Sequence, residues 1–173
     1  MRRPADPLSV LALAALLAAG TAFARSSDRN QPMDIEAGYQ EGSMDGNGVT
    51  LLTGGVVIRQ GSLDIRSDRA EITLAGGDPV RAVLTGSPTV LKQQMDDGTP
   101  MTARAARVDY DLRTEIVTFT GNVEITQPRG TMSGQRVVYN LQSGRVESGG
   151  QGAGRVKMRI LPRGARTPDG GAP

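Results

Sequence analysis

Carboxylates are the side chains in this sequence that could bind a metal ion or act as an acid–base pair. Two groups stand out, Asp96-Asp97 before Gly98, and Asp109 with Asp111 two positions later. Neither belongs to a D-x-D-x-D-G calcium loop, and no second carboxylate cluster accompanies them. Asp97-Gly98 is typical of a hairpin tip. Asp109 and Asp111 alternate with apolar residues, which places them on the solvent face of a strand. We therefore interpret these carboxylates as structural.

Composition excludes most other reactive sites. The 173-residue chain contains no cysteine and no histidine. Disulfides, thiolate nucleophiles, histidine-based triads and histidine-containing zinc sites are therefore excluded. The recurring glycines do not open a helix and are not followed by GK[ST], so they indicate turns rather than a phosphate loop. A formal charge of +2 is too small to indicate a nucleic-acid partner. We expect no enzyme activity, no metal and no cofactor.

Apolar residues two positions apart dominate the chain from Met33 onward. They form the sets Val56/Ile58, Leu63/Ile65, Ala70/Ile72/Leu74, Val108/Tyr110/Leu112, Val123/Ile125 and Val137/Tyr139/Leu141. A period of two predicts strands with one dry and one wet face. Gly54-Gly55 and Gly121-Asn122 are among the predicted turns between short strands. A change of parity predicts bends at Gly61 and at Ser67-Asp68. The predicted fold class is all-β, as a sandwich, roll or barrel.

The sequence also repeats. Residues 53–74 recur at residues 120–141, an offset of 67 positions without a gap, and a looser copy begins at Thr85. Such repeats indicate stacked units that share one core. Arg69, Arg107 and Arg136 occupy equivalent places in the copies. They are either solvated positions that pair with carboxylates, or cations near a mouth that meet an anionic headgroup.

The predicted interior is built from medium-sized apolar residues, because aromatic residues make up only 3% of the chain. A fully packed core is one interpretation of these stripes. A wide, dry interior open at both ends is the other, and it would suit flexible acyl chains, since their binding follows buried apolar area at about 25 cal/mol per Å².

The two termini differ from the rest of the chain. Residues 1–24 have a basic start, an apolar run at 8–19 and an Ala-Phe-Ala cleavage site, so they predict a signal peptide whose removal leaves Arg25 first. The alternative is an uncleaved anchor, although the apolar run is shorter than the ~20 residues of a membrane span. Residues 25–161 form the predicted domain. Residues 162–173 lack an apolar pattern and are predicted to be disordered.

Five segments together resemble the LptA (OstA-like) family of periplasmic lipopolysaccharide transport proteins. In chain order they are QPMDIEA, VTLLTGGVVIRQGSLDIRSDRAEI, KQQMDDGTPMTARAARVDYDL, VTFTGNVEITQ and GRVKMRILP, spread over residues 31–162. The resemblance implies an open, V-shaped antiparallel β-jellyroll. It also implies a non-enzymatic carrier that assembles head to tail into a bridge from the inner to the outer membrane. Lipid A acyl chains of lipopolysaccharide would be shielded in its groove.

The resemblance, taken with the alternating pattern, gives a predicted groove. Family motif positions carry over to Met33, Ile35, Leu91, Tyr110 and Leu112. The alternating stripes add the remaining predicted groove residues: Val56, Ile58, Leu63, Ile65, Val123, Ile125 and Tyr139.

An open roll also ends in two edge strands with unpaired backbone groups. We predict these edges at Met33 and Ile35 and at Val156, Met158 and Ile160, and pairing one with the other can propagate from copy to copy. The implied partners are an LptC-like inner-membrane protein at the N-terminal edge and an LptD-like outer-membrane protein at the C-terminal edge.

Three alternatives remain at the level of sequence. The chain could be an anchored, LptC-like component, or a purely structural β-roll with a packed interior. A carbohydrate-active β-solenoid enzyme is disfavoured, because no inward carboxylate pair is evident.

Overall fold

The structure, a computed structural model, describes residue 28 and residues 30–42, 46–149 and 154–162. It contains ten strands in one antiparallel sheet. Their bounds are β1 (Met33–Glu36), β2 (Tyr39–Glu41), β3 (Gly48–Gln60), β4 (Leu63–Ala75), β5 (Asp78–Gln94), β6 (Pro100–Asp111), β7 (Ile116–Gln127), β8 (Gly130–Asn140), β9 (Val146–Ser148) and β10 (Lys157–Ile160). The all-β, open antiparallel architecture predicted from the sequence is confirmed.

Two predictions fall mostly on the remaining residues. The signal peptide at 1–24 lies wholly outside the described residues, and so does the tail apart from Pro162. Within the described ranges, no helix has the length and apolarity that crossing a membrane requires.

The sheet is a meander in which each edge consists of two short strands. The main path runs β1-β3-β4-β5-β6-β7-β8-β10, while β2 continues beside β3 and β9 lies beside β8. Six central strands, β3 to β8, are 11 to 17 residues long. The first edge (β1 and β2) and the last edge (β9 and β10) do not pair with each other. Because the sheet is not closed, both edges present backbone groups that a further strand could pair.

Irregularities in the pairing cross the middle of the sheet in a line. Register shifts occur after Thr53 in β3, Arg66 in β4, Thr85 in β5, Arg104 in β6 and Thr120 in β7. We call this row of shifts the bend line. Bulges bend a strand and increase its twist. These five shifts lie side by side, bend strands β3 to β7 and turn one face of the sheet inward.

The bend line corrects two turn predictions. The pairs Gly54-Gly55 and Gly121-Asn122 do not end strands but lie inside β3 and β7, which is why the strands are longer than predicted. All four residues have positive φ. Tight turns and bulges both use that conformation, so the sequence signal is the same. The bend predicted at Ser67-Asp68 is confirmed as a register shift in β4. Gly61 instead lies in the turn between β3 and β4.

Pairing aligns the inward residues into rows, because directly opposed residues share a face of the sheet. One row of nearly inaccessible side chains lies on the β2 side of the bend line: Leu52, Ala70, Leu84, Val108, Phe119 and Val137. A second row, here the edge-to-edge row, crosses the sheet without interruption: Ile35, Ile58, Ile65, Leu91, Ala103, Ile125, Met132 and Met158. Alternation in the sequence is therefore converted into continuous apolar bands.

Two glycines on the bend line separate backbone strain from crowding. Gly55 and Gly121 have φ of 83° and 82°. A Cβ at Gly55 would meet nothing within 4 Å, whereas at Gly121 it would lie 2.9 Å from Cβ of Ala106. We expect Gly55→Ala to lower the free energy of unfolding by about 1–2 kcal/mol through strain alone. Gly121→Ala should cost about 1 kcal/mol more through crowding. Urea unfolding measures both, and equal losses would contradict the packing described at Gly121.

Candidate functional site

A cavity of about 620 Å³ lies on the inward face of the bent sheet. This volume is in the range of small-molecule and lipid sites, which are mostly apolar clefts. Residues from both sides of the bend line contribute, so the fold of the sheet creates the cavity. The only charged residues among the described lining are Asp28 and Glu36. Asp28 accepts a hydrogen bond from the hydroxyl of Ser62 and therefore has a partner in the turn after β3.

Nine of the twelve predicted groove residues line this cavity. They are Met33, Ile35, Ile58, Leu63, Ile65, Leu91, Tyr110, Leu112 and Tyr139. They come from β1, β3, β4, β5, β6 and β8 and from the turn after β6. The structure therefore brings together side chains that are up to 106 positions apart in the chain, Met33 to Tyr139.

The other three predicted groove residues do not line the cavity. Val56 and Val123 are each only 1% exposed, belong to the buried core and are the first paired residues after the shifts in β3 and β7. Ile125 is half-buried and packs against the core from β7, beyond the part of the interior that the cavity reaches. Alternation places all three inside, but only the bend decides which inward residues border open space.

The sequence pattern missed several lining residues on the β2 side of the bend line. These include Leu52, Ile72, Leu74, Leu84, Val108, Val117, Phe119 and Leu141. The signal was present, since Ile72, Leu74, Val108 and Leu141 belong to the same alternating sets as the predicted residues. Leu74 and Leu141 also occupy equivalent places in the repeat, and both line the cavity.

The predicted edge residues lie at the two ends of the sheet. Met33 and Ile35 lie in β1 and Met158 and Ile160 in β10, the outermost strands of the main path. Their side chains are exposed, Met158 to 67% and Ile160 to 73%. Val156 is half-buried and precedes β10, which begins at Lys157. The edge-to-edge row therefore borders the cavity at its β1 end and ends in exposed side chains at its β10 end.

Asp97, Asp109 and Asp111 each accept hydrogen bonds within the fold. Asp109 accepts a hydrogen bond from Arg81 Nε at 2.8 Å, and this bond holds the pKa of Asp109 below its ordinary value. A backbone N–H donated by Thr114 lowers the pKa of Asp111, and one donated by Thr99 does the same for Asp97. Among the described residues, no three Asp or Glu side chains gather as a metal site.

The three repeated arginines occupy one row on the face opposite the cavity. Pairing places Arg69 opposite Thr53 and Thr85, and continues the row through Arg107 and Arg136. Arg69 forms an ion pair with Glu71 at 2.6 Å, and Arg107 lies 3.8 Å from Asp109. For these two arginines the geometry favours solvated positions paired with carboxylates.

Comparison with known proteins gives one consistent result. A family model described as "LptA/(LptD N-terminal domain) LPS transport protein" matches residues 34–145. The chain is 32% identical over 155 residues to lipopolysaccharide export system protein LptA of Escherichia coli (strain K12), covering 88% of this chain and 83% of that protein. LptA of Haemophilus influenzae is 34% identical over 150 residues, with coverage of 85% and 87%. Among solved structures, the fold is similar to LptH, "the LptA homologous periplasmic component of the conserved lipopolysaccharide transport device from Pseudomonas aeruginosa". That match has a TM-score of 0.70 and 25% identity, and covers 79% of this chain and 99% of that chain.

The lowered pKa of Asp109 predicts a pH-dependent contribution to stability. A carboxyl whose folded pKa lies below its unfolded value of 3.8 stabilises the fold above that value, and the contribution disappears as pH falls through the folded pKa. We expect Asp109→Asn to lower the melting temperature at pH 7, and the difference from the unaltered protein to shrink below about pH 3.8. The control is Asp68→Asn, an exposed carboxylate without an ion pair among the described residues. A difference that is constant from pH 7 to pH 2 would contradict the role of the Arg81 pair.

Proposed function

The chain belongs to the LptA/(LptD N-terminal domain) LPS transport protein family, and we propose that its cavity shields the acyl chains of lipopolysaccharide during transport. As a member of this family it is a periplasmic transport component and not an enzyme. The binding residues, the partners at each edge and the processing of the N-terminus are parts of the proposal.

The apolar cavity is the observation that carries the proposal. Apart from two carboxylates, its lining consists of Val, Ile, Leu, Met, Ala, Pro, Phe and Tyr with a few neutral Gln and Thr residues. Such a lining suits an acyl chain, since each buried CH₂ contributes about 0.8 kcal/mol and needs no polar partner. A purely structural β-roll, the second candidate, would have a packed interior, and an open volume of about 620 Å³ argues against it.

The same apolar band supports head-to-tail assembly. The edge-to-edge row ends at Ile35 in β1 and at Met158 in β10. Pairing the last edge of one copy with the first edge of the next would continue both the sheet and the row. Such a contact joins different surfaces, so it can propagate as a filament. By the same logic, we propose that an LptC-like protein adds to the first edge and an LptD-like protein to the last edge.

We also propose that residues 1–24 are a cleaved signal peptide and that the mature protein starts at Arg25. The competing hypothesis is an LptC-like component that keeps the segment as an anchor. Mass spectrometry of the exported protein separates them, because a chain that retains residues 1–24 would exclude cleavage.

A carboxylate placed in the cavity should strongly weaken lipid binding. Leu112 lines the cavity, so Leu112→Asp would face acyl chains with an unpaired charge, at a cost of several kcal/mol. We expect the affinity for lipopolysaccharide to fall at least about tenfold in a fluorescence displacement assay. The matched control is Val49→Asp, because Val49 is 55% exposed and lies outside the cavity lining.

Circular dichroism must first show that both variants fold. If Leu112→Asp does not fold, Ile35→Asp replaces it, since Ile35 lines the cavity but is exposed at an edge. Equal affinities for the cavity variant and Val49→Asp would contradict the proposed site.

A further inference from the structure

The two ends of the main sheet path carry opposite charges. In β1 the charged residues are Asp34 and Glu36, and in β10 they are Lys157 and Arg159. All four are exposed. Glu36 meets Arg59 at 2.7 Å, whereas Asp34, Lys157 and Arg159 form no ion pair with any described residue. The first edge therefore offers two carboxylates, one of which already pairs with Arg59, and the last edge offers two cations without an ion pair to any described residue.

These charges all lie on the outer face. Side chains alternate along a strand, so Asp34 points away from the cavity that Met33 and Ile35 line. Glu36, at the end of β1, borders the cavity, but its carboxylate meets Arg59, which alternates with the inward Ile58 and therefore lies on the outer face. In β10, Met158 belongs to the inward edge-to-edge row, which puts its neighbours Lys157 and Arg159 on the outer face. Each edge thus has an apolar inner side and an outer side whose charges are all of one sign.

The direction of the two edge strands, and the position of the edge-to-edge row along them, determine how the two edges could pair. Every neighbouring pair on the eight-strand path is antiparallel, so β1 and β10 run in opposite directions. A second copy in the same orientation would therefore add its β1 antiparallel to β10. Continuing the edge-to-edge row places its Ile35 opposite Met158.

That single alignment sets the other contacts of the two four-residue strands. Ile160 then lies opposite Met33 on the inner face, while Lys157 opposes Glu36 and Arg159 opposes Asp34 on the outer face. Two apolar pairs and two pairs of opposite charge result, with no mismatched position. Directly opposed pairs of this kind are the units that stabilise a sheet.

We propose that this charge pairing determines the direction of assembly. It favours contact between the last edge of one copy and the first edge of the next in this register, and it disfavours contacts between like edges. The inference rests on the proposed head-to-tail assembly and adds the residues that give it direction. The partner it specifies is a second copy of this chain.

Two identical edges do not fit together, whether their apolar faces are matched or the strands are shifted by one residue. Two copies of β1 paired antiparallel with matched faces put Asp34 opposite Glu36, so like charges face each other. A shift by one residue relieves the repulsion but sets Asp34 opposite Ile35, which turns the apolar side of one copy outward. The same holds for Lys157 and Arg159 in two copies of β10. Repulsion of wrong partners is a common source of specificity.

Charge reversal of each edge tests the proposal. The first-edge variant is Asp34→Lys with Glu36→Lys, and the last-edge variant is Lys157→Glu with Arg159→Glu. We expect each alone to self-associate at least about tenfold more weakly than the unaltered protein in sedimentation velocity, since attraction becomes repulsion at two pairs. An equimolar mixture should recover association, because the acidic edges of one variant face the basic edges of the other.

The control carries the same change of net charge as the last-edge variant, but away from the edges. Lys92→Glu with Arg104→Glu alters two exposed outer-face residues of β5 and β6 and should self-associate like the unaltered protein. If the last-edge variant associates as strongly as this control, or if the mixture does not recover, the charge pairing is wrong while head-to-tail assembly can stand. If the unaltered protein forms no assemblies, the assembly part of the proposed function fails first.

Cysteine pairs test the register separately, since the chain has no cysteine of its own. Oxidation should join Met33→Cys in one copy to Ile160→Cys in another, because directly opposed Cβ atoms lie within about 5.5 Å. The pair Met33→Cys with Met158→Cys is two residues out of register and should give little crosslinked dimer. Equal yields from both pairs would overturn the register.

Discussion

The bend across the middle of the sheet is the constraint on which the other features depend. A single antiparallel sheet with one apolar face must cover that face, and here the described part of the chain supplies no α-helix and no second sheet to do so. Five register shifts at the same level fold the long strands instead. The inward face then covers itself, except where the two halves stand apart and leave the cavity. Core and candidate binding site are therefore parts of the same surface.

Bending covers the face without closing the sheet. A closed barrel would pair its first and last strands and remove its edges, whereas here β1 and β10 remain outermost. Both edges consequently keep unpaired backbone groups and exposed apolar side chains, which is normally a risk of aggregation. Oppositely charged outer sides at the two ends turn this risk into a selective contact. Transport along a bridge needs the same two properties, a continuous dry band and a defined direction.

Local alternation was enough to predict the fold class, and together with the family resemblance it identified nine of the residues that line the cavity. Ile58 and Ile65 oppose each other across a two-residue turn, so their shared face follows from sequence spacing alone. The bend line was harder, because Gly54-Gly55 and Gly121-Asn122 carry positive φ that a hairpin and a bulge use equally. Whether such a pair ends a strand or bends it depends on the neighbouring strands. Val56 and Val123 were assigned to the groove for the same reason, since only the three-dimensional bend shows that they are covered.

Contact between the cavity and lipid is the central claim, and photo-crosslinking in living cells tests it most directly. A photoreactive residue at Tyr110 would face the cavity, while one at Thr118, in the neighbouring strand and on the outer face, provides a matched control. We predict lipopolysaccharide adducts from position 110 and few or none from position 118. Adducts of equal yield at the two positions, or none at position 110 while lipopolysaccharide is being exported, would contradict the account.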